Sequence, residues 1–323
     1  MHDMYPLRFR PIFKQYVWGG RQLESCLGKE IGPEPNYAES WEICDHGPDQ
    51  TVVESGPLAG IGLDRLVAQR GLELLGSHHP RSGFPLLLKF LDAAQTLSVQ
   101  VHPDDARAAR LDPPDLGKTE AWVVLAAEPG SLIYAGLAPG ADRDSLAEAI
   151  REGTCQEQLH RFEPRPGDCV FLPAGTVHAL GEGLLVAEIQ QASDTTYRLF
   201  DWNRLGTDGK PRALHVEDGL EAVDWNQGQI GPQVPQPTGR PGVSRLVDCD
   251  QFVLDRWQFE SPETAGGDDR FHILCVLEGS LTVEHDPAGS PLRRGQTALL
   301  PASLGKVRLE PRENTVMLDA YLP

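Results

Sequence analysis

Gly167–Asp168–Cys169–Val170–Phe171–Leu172–Pro173–Ala174–Gly175–Thr176–Val177–His178 is the stretch on which the fold turns. Cys169–Leu172 is an apolar run of strand length, with a Gly-Asp turn before it and Pro-x-Gly after it. Proline cannot donate to a sheet ladder and glycine admits left-handed backbone, so the strand stops there and the chain reverses. His178 is thereby aimed back into the mouth of a sandwich or barrel. Further on, Gly295–Gln296–Thr297–Ala298–Leu299–Leu300–Pro301–Ala302–Ser303–Leu304–Gly305–Lys306 repeats the glycine-to-proline frame. Ser303 stands in place of the glycine and Lys306 in place of the histidine. Together with the turn Leu277–Glu278–Gly279–Ser280, this predicts a second copy of the same fold.

Outward from these frames the chain reads as short apolar runs punctuated by 33 glycines and 27 prolines, the pattern of an all-β sandwich or barrel. Strands are predicted at Pro85–Leu91, Leu97–Val101, Ala121–Ala126, Ser131–Tyr134, Cys169–Leu172 and Leu184–Gln190. Others follow at Phe252–Phe259, Phe271–Leu277, Ser280–Glu284 and Val316–Tyr321. Helical patterns are few and lie in the N-terminal half: Leu63–Leu75, Asp104–Leu111, and Asp144–Glu152 with Asp144 as its N-cap. Residues 225–243, rich in Gly, Pro and Gln, read as a linker. The expected organisation is mainly β: a first, larger domain over residues 1–224, the linker, and a smaller β domain over 244–323.

Composition narrows the functional classes. With 29 basic and 47 acidic residues, the formal charge is −18, a surface that repels nucleic acid and anionic lipid. An anionic substrate would need local positive charge supplied by its site. Met1–Pro11 has no apolar core behind a basic cluster and does not read as a secretory signal. The most apolar stretch, Phe84–Val101, is interrupted by Lys89 and Asp92, which argues against a membrane span. Cys26, Cys44, Cys155, Cys169, Cys249 and Cys275 form no C-x-x-C pair and read as free thiols of a reducing compartment, Cys169 and Cys275 buried in strands. A cytoplasmic location is expected.

The chemistry gathers at three places in the first half. Gln100 and His102 stand two apart at the end of an alternating run and so share a strand face. Glu120 opens the next strand, and His178 closes the Pro-x-Gly turn. A lone histidine is usually a satisfied structural residue, but two of them in strand-linked motifs point to a metal centre of His102, Glu120 and His178, with Gln100 as a weaker fourth member. Such a mixed N/O set suits zinc and also accepts other first-row divalent metals. Glu188 and Gln190 share a further strand face, and Arg198 closes a polar turn, where it would suit a phosphate or a developing enediolate oxygen. Spacing alone favours the plainer reading of Arg198, a surface arginine paired with Asp194 or Asp201. Lys118 lies two residues before Glu120 and would point the same way on extended backbone.

These residues resemble the type I mannose-6-phosphate isomerases (phosphomannose isomerases), particularly the short bacterial form. The resemblance runs in family order over roughly residues 8 to 215, through Tyr16–Gly20, Glu39–Glu42, Phe84–Ala93, Leu97–Asp105, Gly117–Trp122, Pro173–Ala179, Glu188–Gln191 and Ser193–Arg198. It implies two cupin (jelly-roll) domains, the second without metal, and one Zn2+ per chain on His102, Glu120 and His178, with Gln100 a fourth ligand in some members. It further implies that Ser98, Lys118 and Arg198 contact substrate and that Glu188 lies near the metal. The implied reaction interconverts mannose 6-phosphate and fructose 6-phosphate through a cis-enediolate. Glu188, Lys118 and a hydroxide on the metal are the candidates for its base. A small sugar phosphate is the expected partner, with no nucleic acid or membrane, and the chain is expected to be a monomer or weak homodimer. Two other readings remain open: a different cupin metalloenzyme of the Fe(II) oxygenase type, and a non-catalytic sugar-phosphate-binding cupin.

Overall fold

The computed structural model describes residues 3–206 and 209–323. Its first half is a sandwich of two antiparallel sheets. One has six strands in the order Cys169–Leu172, Glu120–Ala127, Leu184–Gln191, Leu86–Ala93, Tyr37–Ile43 and Ile12–Gly20. The other has five, in the order Leu159–Phe162, Ile133–Leu137, His178–Leu180, Val99–Val101 and Tyr197–Phe200. The Gly167–His178 motif is a corner between them. Cys169–Leu172 lies on the edge of the six-stranded sheet, and His178 opens a strand of the facing sheet. Gly175 makes the turn at φ +87°, where a Cβ would come within 3.0 Å of Asp224 Cβ.

The second half repeats this plan. Its six-stranded sheet runs Gln236–Pro237, Val243–Asp248, Val253–Phe259, Thr315–Tyr321, His272–Glu278, Thr297–Leu300. Its four-stranded sheet runs Glu263–Gly266, Lys306–Pro311, Ser280–Val283, Leu292–Arg293. Thr297–Leu300 sits on a sheet edge as Cys169–Leu172 does, and Lys306 opens the returning strand as His178 does. Four strands in each sheet fall in the same spatial order in both halves, so the repeated frame marks a duplicated sandwich. Where Ser303 replaces the first copy's glycine, a short 3-10 turn Ala302–Leu304 forms, and Gly305 at φ +65° takes the left-handed position.

The ten predicted strands are all present, with ends shifted by a few residues. The helices needed more correction. Leu63–Leu75 forms as expected. Asp104–Leu111 shrinks to the single turn Asp105–Ala108, capped by Asp104 accepting from Arg107 N at 2.7 Å. Pro113 and Pro114 follow shortly after, and proline disfavours helical backbone in the residue before it. The third helix is Arg143–Glu152, and its N-cap is Asp142 rather than Asp144. Asp142 Oδ1 accepts from Ser145 N at 2.8 Å while Ser145 Oγ accepts from Asp142 N at 2.9 Å, a reciprocal box that a search for glutamate at the third position overlooks.

The two sandwiches share one apolar core. Leu63, Leu66, Leu74, Phe84 and Leu88 from the first half pack in the same cluster as Phe252, Phe271, Ile273 and Leu318 from the second. Phe84 and Phe271 pack at a tilt with ring centroids 4.7 Å apart. Each such buried side chain contributes roughly 1.5–3 kcal/mol. The N-terminal segment crosses over as well: Leu7 exchanges two 2.8 Å backbone hydrogen bonds with Leu299. Residues 225–243 are fastened rather than free, since Ile230 N donates to Ala135 O at 3.2 Å and Gln233 N to Cys169 O at 2.7 Å. Cys169 and Cys275 are buried and all six cysteines are unpaired thiols. Among the described residues, no helix is long and apolar enough to cross a membrane.

Candidate metal centre and active site

Sheet register assembles the site. Gln100 pairs with His178 on one side and with Arg198 on the other. Directly paired residues project to the same sheet face, so His178, Gln100 and Arg198 form one row, with Ser98 and His102 above and below Gln100. From the facing sheet, Glu120 pairs with Gln190, and a second row runs Trp122, Glu188, Lys89, Trp41 across four strands. The two faces meet in the interior of the first sandwich.

His102, Glu120 and His178 are all buried, and one potential ligand atom of each lies within 4.8 Å of the other two. Each imidazole is oriented by its outer nitrogen: His102 Nδ1 lies 3.0 Å from Thr195 O and His178 Nδ1 lies 2.9 Å from Thr176 O. Since a carbonyl only accepts, each Nδ1 carries the proton and each Nε2 turns a lone pair inward. Burial holds His178 down at about 4 and His102 well below the usual imidazole range, so both rings are neutral. Glu120 Oε1 is buried without a hydrogen-bond partner, yet stands 3.3 Å from His178 Nε2. Two lone pairs facing each other in a dry interior repel unless a proton or a metal cation lies between them. The donor set of two imidazole nitrogens and a carboxylate oxygen therefore fits a divalent metal. Gln100 also reaches this point, its amide nitrogen 3.2 Å from His178 Nε2 and 3.5 Å from His102 Nε2. Ser98 Oγ donates to the amide oxygen at 3.4 Å.

Lys118 borders the centre. Its ammonium hydrogen-bonds Glu120, approaches His102 Nε2 at 3.3 Å and donates to Glu188 Oε1 at 3.1 Å. Burial and then the neighbouring charge of Glu188 push Glu120 up, whereas burial of Glu188 is overcome by Lys118 and Lys89, which hold its carboxyl below the usual range. Burial alone would discharge Lys89, but Glu39 at 3.5 Å and Glu188 at 3.7 Å keep its ammonium protonated.

A cavity of about 250 Å³ opens beside this centre, lined among others by Ser98, Gln100, Lys118, Glu188 and Arg198. All the sequence-predicted site residues thus converge on one place. Arg198 is not spent on Asp194 or Asp201. Its Nη1 donates to Ala213 O at 2.9 Å, and its buried Nε has no partner. Sequence reasoning assigned no role to Lys89, Arg212, Asp194 or Trp18, which also line the cavity. For Lys89 a signal existed: a lysine inside a strand, Leu86–Ala93, whose other residues apart from Asp92 read as core. Arg212 carried none, because it is brought in by the chain's return after the Tyr197–Phe200 strand.

Two stacked jelly-roll sandwiches, the first carrying a buried His/Glu/His centre at a strand–turn–strand corner, define a bicupin protein with a candidate metal site in one half. A model of the phosphomannose isomerase type I catalytic domain matches residues 7–119, and a model of the mannose-6-phosphate isomerase cupin domain matches residues 243–317. The chain belongs to the type I mannose-6-phosphate isomerase family. It is 34% identical over 315 residues to mannose-6-phosphate isomerase ManA of Bacillus subtilis (strain 168), with 94% of this chain and 96% of that one covered. It is 33% identical over 301 residues to the mannose-6-phosphate isomerase of Streptococcus mutans, covering 93% of each. The crystal structure of the Bacillus subtilis mannose 6-phosphate isomerase superposes with a TM-score of 0.89 at 31% identity, over 99% of this chain and 100% of that chain.

Proposed function

We propose that this chain interconverts mannose 6-phosphate and fructose 6-phosphate through a cis-enediolate, using one zinc ion held by His102, Glu120 and His178, with Gln100 as a fourth ligand. The observation that carries the reading is the inward-facing pair of Glu120 Oε1, which has no hydrogen-bond partner, and His178 Nε2, beside a cavity lined by Arg198. Bound there, a divalent metal supplies Lewis acidity toward the sugar oxygens. For Gln100 to serve as a ligand its amide oxygen must turn inward, exchanging places with the nitrogen.

The chain's own residues divide the remaining work. Arg198, with its unpartnered Nε, and Arg212 beside it supply the local positive charge that an acidic protein needs for a phosphate dianion. Ser98 and Lys118 face the sugar end. Lys118 is an ammonium donor for an oxygen on which charge develops. Glu188, kept ionised by two lysines, fits the group that accepts the carbon-bound proton and returns it. We assign catalysis to residues 1–224 and a scaffolding role to residues 244–323, joined through 225–243. Six unpaired thiols support a cytoplasmic setting, and a monomer or weak homodimer is in keeping with this reading.

Chelation is expected to abolish conversion of mannose 6-phosphate, and zinc to restore it. Metal-replete protein that fails to exchange solvent deuterium into fructose 6-phosphate would refute the assignment, and iron as the bound metal would favour an oxygenase instead. For Arg198→Ala, truncating one member of a buried charge contact costs about 2–5 kcal/mol, so kcat/KM should fall about 30- to 5,000-fold. Metal content should stay unchanged. Loss of metal in that variant would show Arg198 to be structural.

A further inference from the structure

The duplicated register allows the metal centre to be mapped onto the second sandwich position by position. Glu120 pairs with Leu172, the residue before Pro173, and His272 pairs with Leu300, the residue before Pro301. His178 pairs with Gln100, and Lys306 with Gly266. His102 stands two residues beyond Gln100, as Asp268 does beyond Gly266. Glu188 pairs with Trp122, two residues past Glu120, and Asp319 pairs with Leu274, two residues past His272. The positions of His102, Glu120, His178 and Glu188 thus hold Asp268, His272, Lys306 and Asp319 in the second half.

Three of these four are joined. His272 Nδ1 lies 2.9 and 3.1 Å from the two oxygens of Asp319, and His272 Nε2 lies 3.1 Å from Asp268 Oδ1. His272 and Asp319 are buried, at 5% and 1% exposure. A carboxylate on each ring nitrogen requires an N–H on each, which only the imidazolium has. This is the reverse of the first half, where both rings turn lone pairs inward. Lys306 contributes no such contact: it is exposed and lies along Gly267.

We infer that the second sandwich keeps the polar constellation of a cupin metal centre with the metal replaced by the imidazolium of His272, and that this internal cation fastens the loop on which the two halves dock. That loop, residues 267–270, carries Asp268 and is bent by Asp269 at φ +60°. Asp269 O accepts from Ser77 N at 2.9 Å and from Ser77 Oγ at 3.0 Å. Ser77 follows directly on the Leu63–Leu75 helix, in the 3-10 turn Gly76–His78. A Cβ at Gly76 would stand 2.2 Å from the same carbonyl, so only glycine admits the contact. The imidazolium therefore holds Asp268, and the next residue holds the first half.

The groups facing the ring come from every neighbouring element. Asp319 and Tyr321 lie on the last strand, the Tyr321 ring 4.8 Å away. Asp268 and Arg270 lie on the loop, with Arg270 Nη2 2.7 Å from Asp268 Oδ2. Behind Tyr321, its hydroxyl donates to Asp255 at 2.9 Å, and Arg245 donates to Asp255 at 2.6 Å. Burial would lower the His272 pKa, but Asp319 and Asp268 outweigh it and push it up to about 10. A raised pKa contributes stability that is complete below the ordinary value of 6.5 and is lost as the pH rises through about 10. At neutral pH the cation is thus permanent.

The experiment is nitrogen NMR of the intact, metal-loaded chain labelled in histidine, with His272 assigned through its backbone. Both ring nitrogens are expected to remain protonated at pH 8.5, where an ordinary histidine is neutral. A ring that titrates near 6.5, or that shifts on binding a second metal per chain, overturns the inference. In His272→Gln, amide exchange should rise at least about tenfold in residues 76–78 and 266–270 while isomerase activity and metal content hold. Unchanged protection there would remove the latch. Should that variant not fold, the NMR titration of the unaltered protein decides.

Discussion

Replacing His178 with alanine is expected to empty the metal centre and reduce kcat/KM on the order of 10³-fold or more. His178 is one of three protein groups converging on the centre, and its Nε2 faces Glu120 Oε1, which has no other partner. Without the ring, Glu120, His102 and the weakly ligating amide of Gln100 remain, a set with one imidazole where catalytic zinc sites keep three strong protein ligands. A metal acting as Lewis acid is worth several kcal/mol to the transition state, and about 1.4 kcal/mol is a factor of ten. Metal analysis should fall from one ion per chain toward none, and the midpoint of thermal unfolding should lose its dependence on added zinc. His285→Ala, an exposed histidine far along the chain, is the control and should change neither. Full activity in metal-stripped His178→Ala would remove the metal from the mechanism altogether.

The second large effect is expected on stability. Lys89→Met should destabilise the fold by about 3 kcal/mol, at the lower end of the range for removing one partner of a buried ion pair. Lys89 is 5% exposed and serves two carboxylates, Glu39 at 3.5 Å and Glu188 at 3.7 Å. Methionine fills most of the volume, so the loss is electrostatic rather than a cavity. The lower end applies because each carboxylate keeps another donor: Glu39 accepts from Trp41 Nε1 at 2.5 Å, and Glu188 accepts from Lys118 at 3.1 Å. Denaturant unfolding measures it directly. A midpoint equal to that of the parent would mean that Glu39 and Glu188 do not depend on this charge.

Much of the site was legible because its parts are local. A strand followed by Pro-x-Gly and a histidine is a corner whatever lies across from it, and Gln100 with His102 share a face through strand geometry alone. The Arg143–Glu152 cap was misplaced for the opposite reason: two aspartates lie within reach of the same first turn, and only the extended backbone of Asp142 selects between them. Arg198 shows the limit more plainly. Spacing left it open to pairing with Asp194 or Asp201, whereas in the fold Arg204 and Arg212 occupy Asp201 instead, at 2.8 and 2.6 Å. That frees Arg198 toward the cavity.

By itself, then, the sequence determined the strand-rich duplicated architecture and the candidate metal-binding side chains in the first half, because alternation and turn residues act within a few positions of one another. Only the tertiary structure decided which strands are neighbours. That pairing joins Lys89 to Glu188, sets Arg198 beside Gln100, and places Asp319 and Asp268 on the two nitrogens of His272. A strand's periodicity states which face a side chain occupies. The partner across the sheet is chosen by the packing of the shared core, which no short stretch of sequence contains.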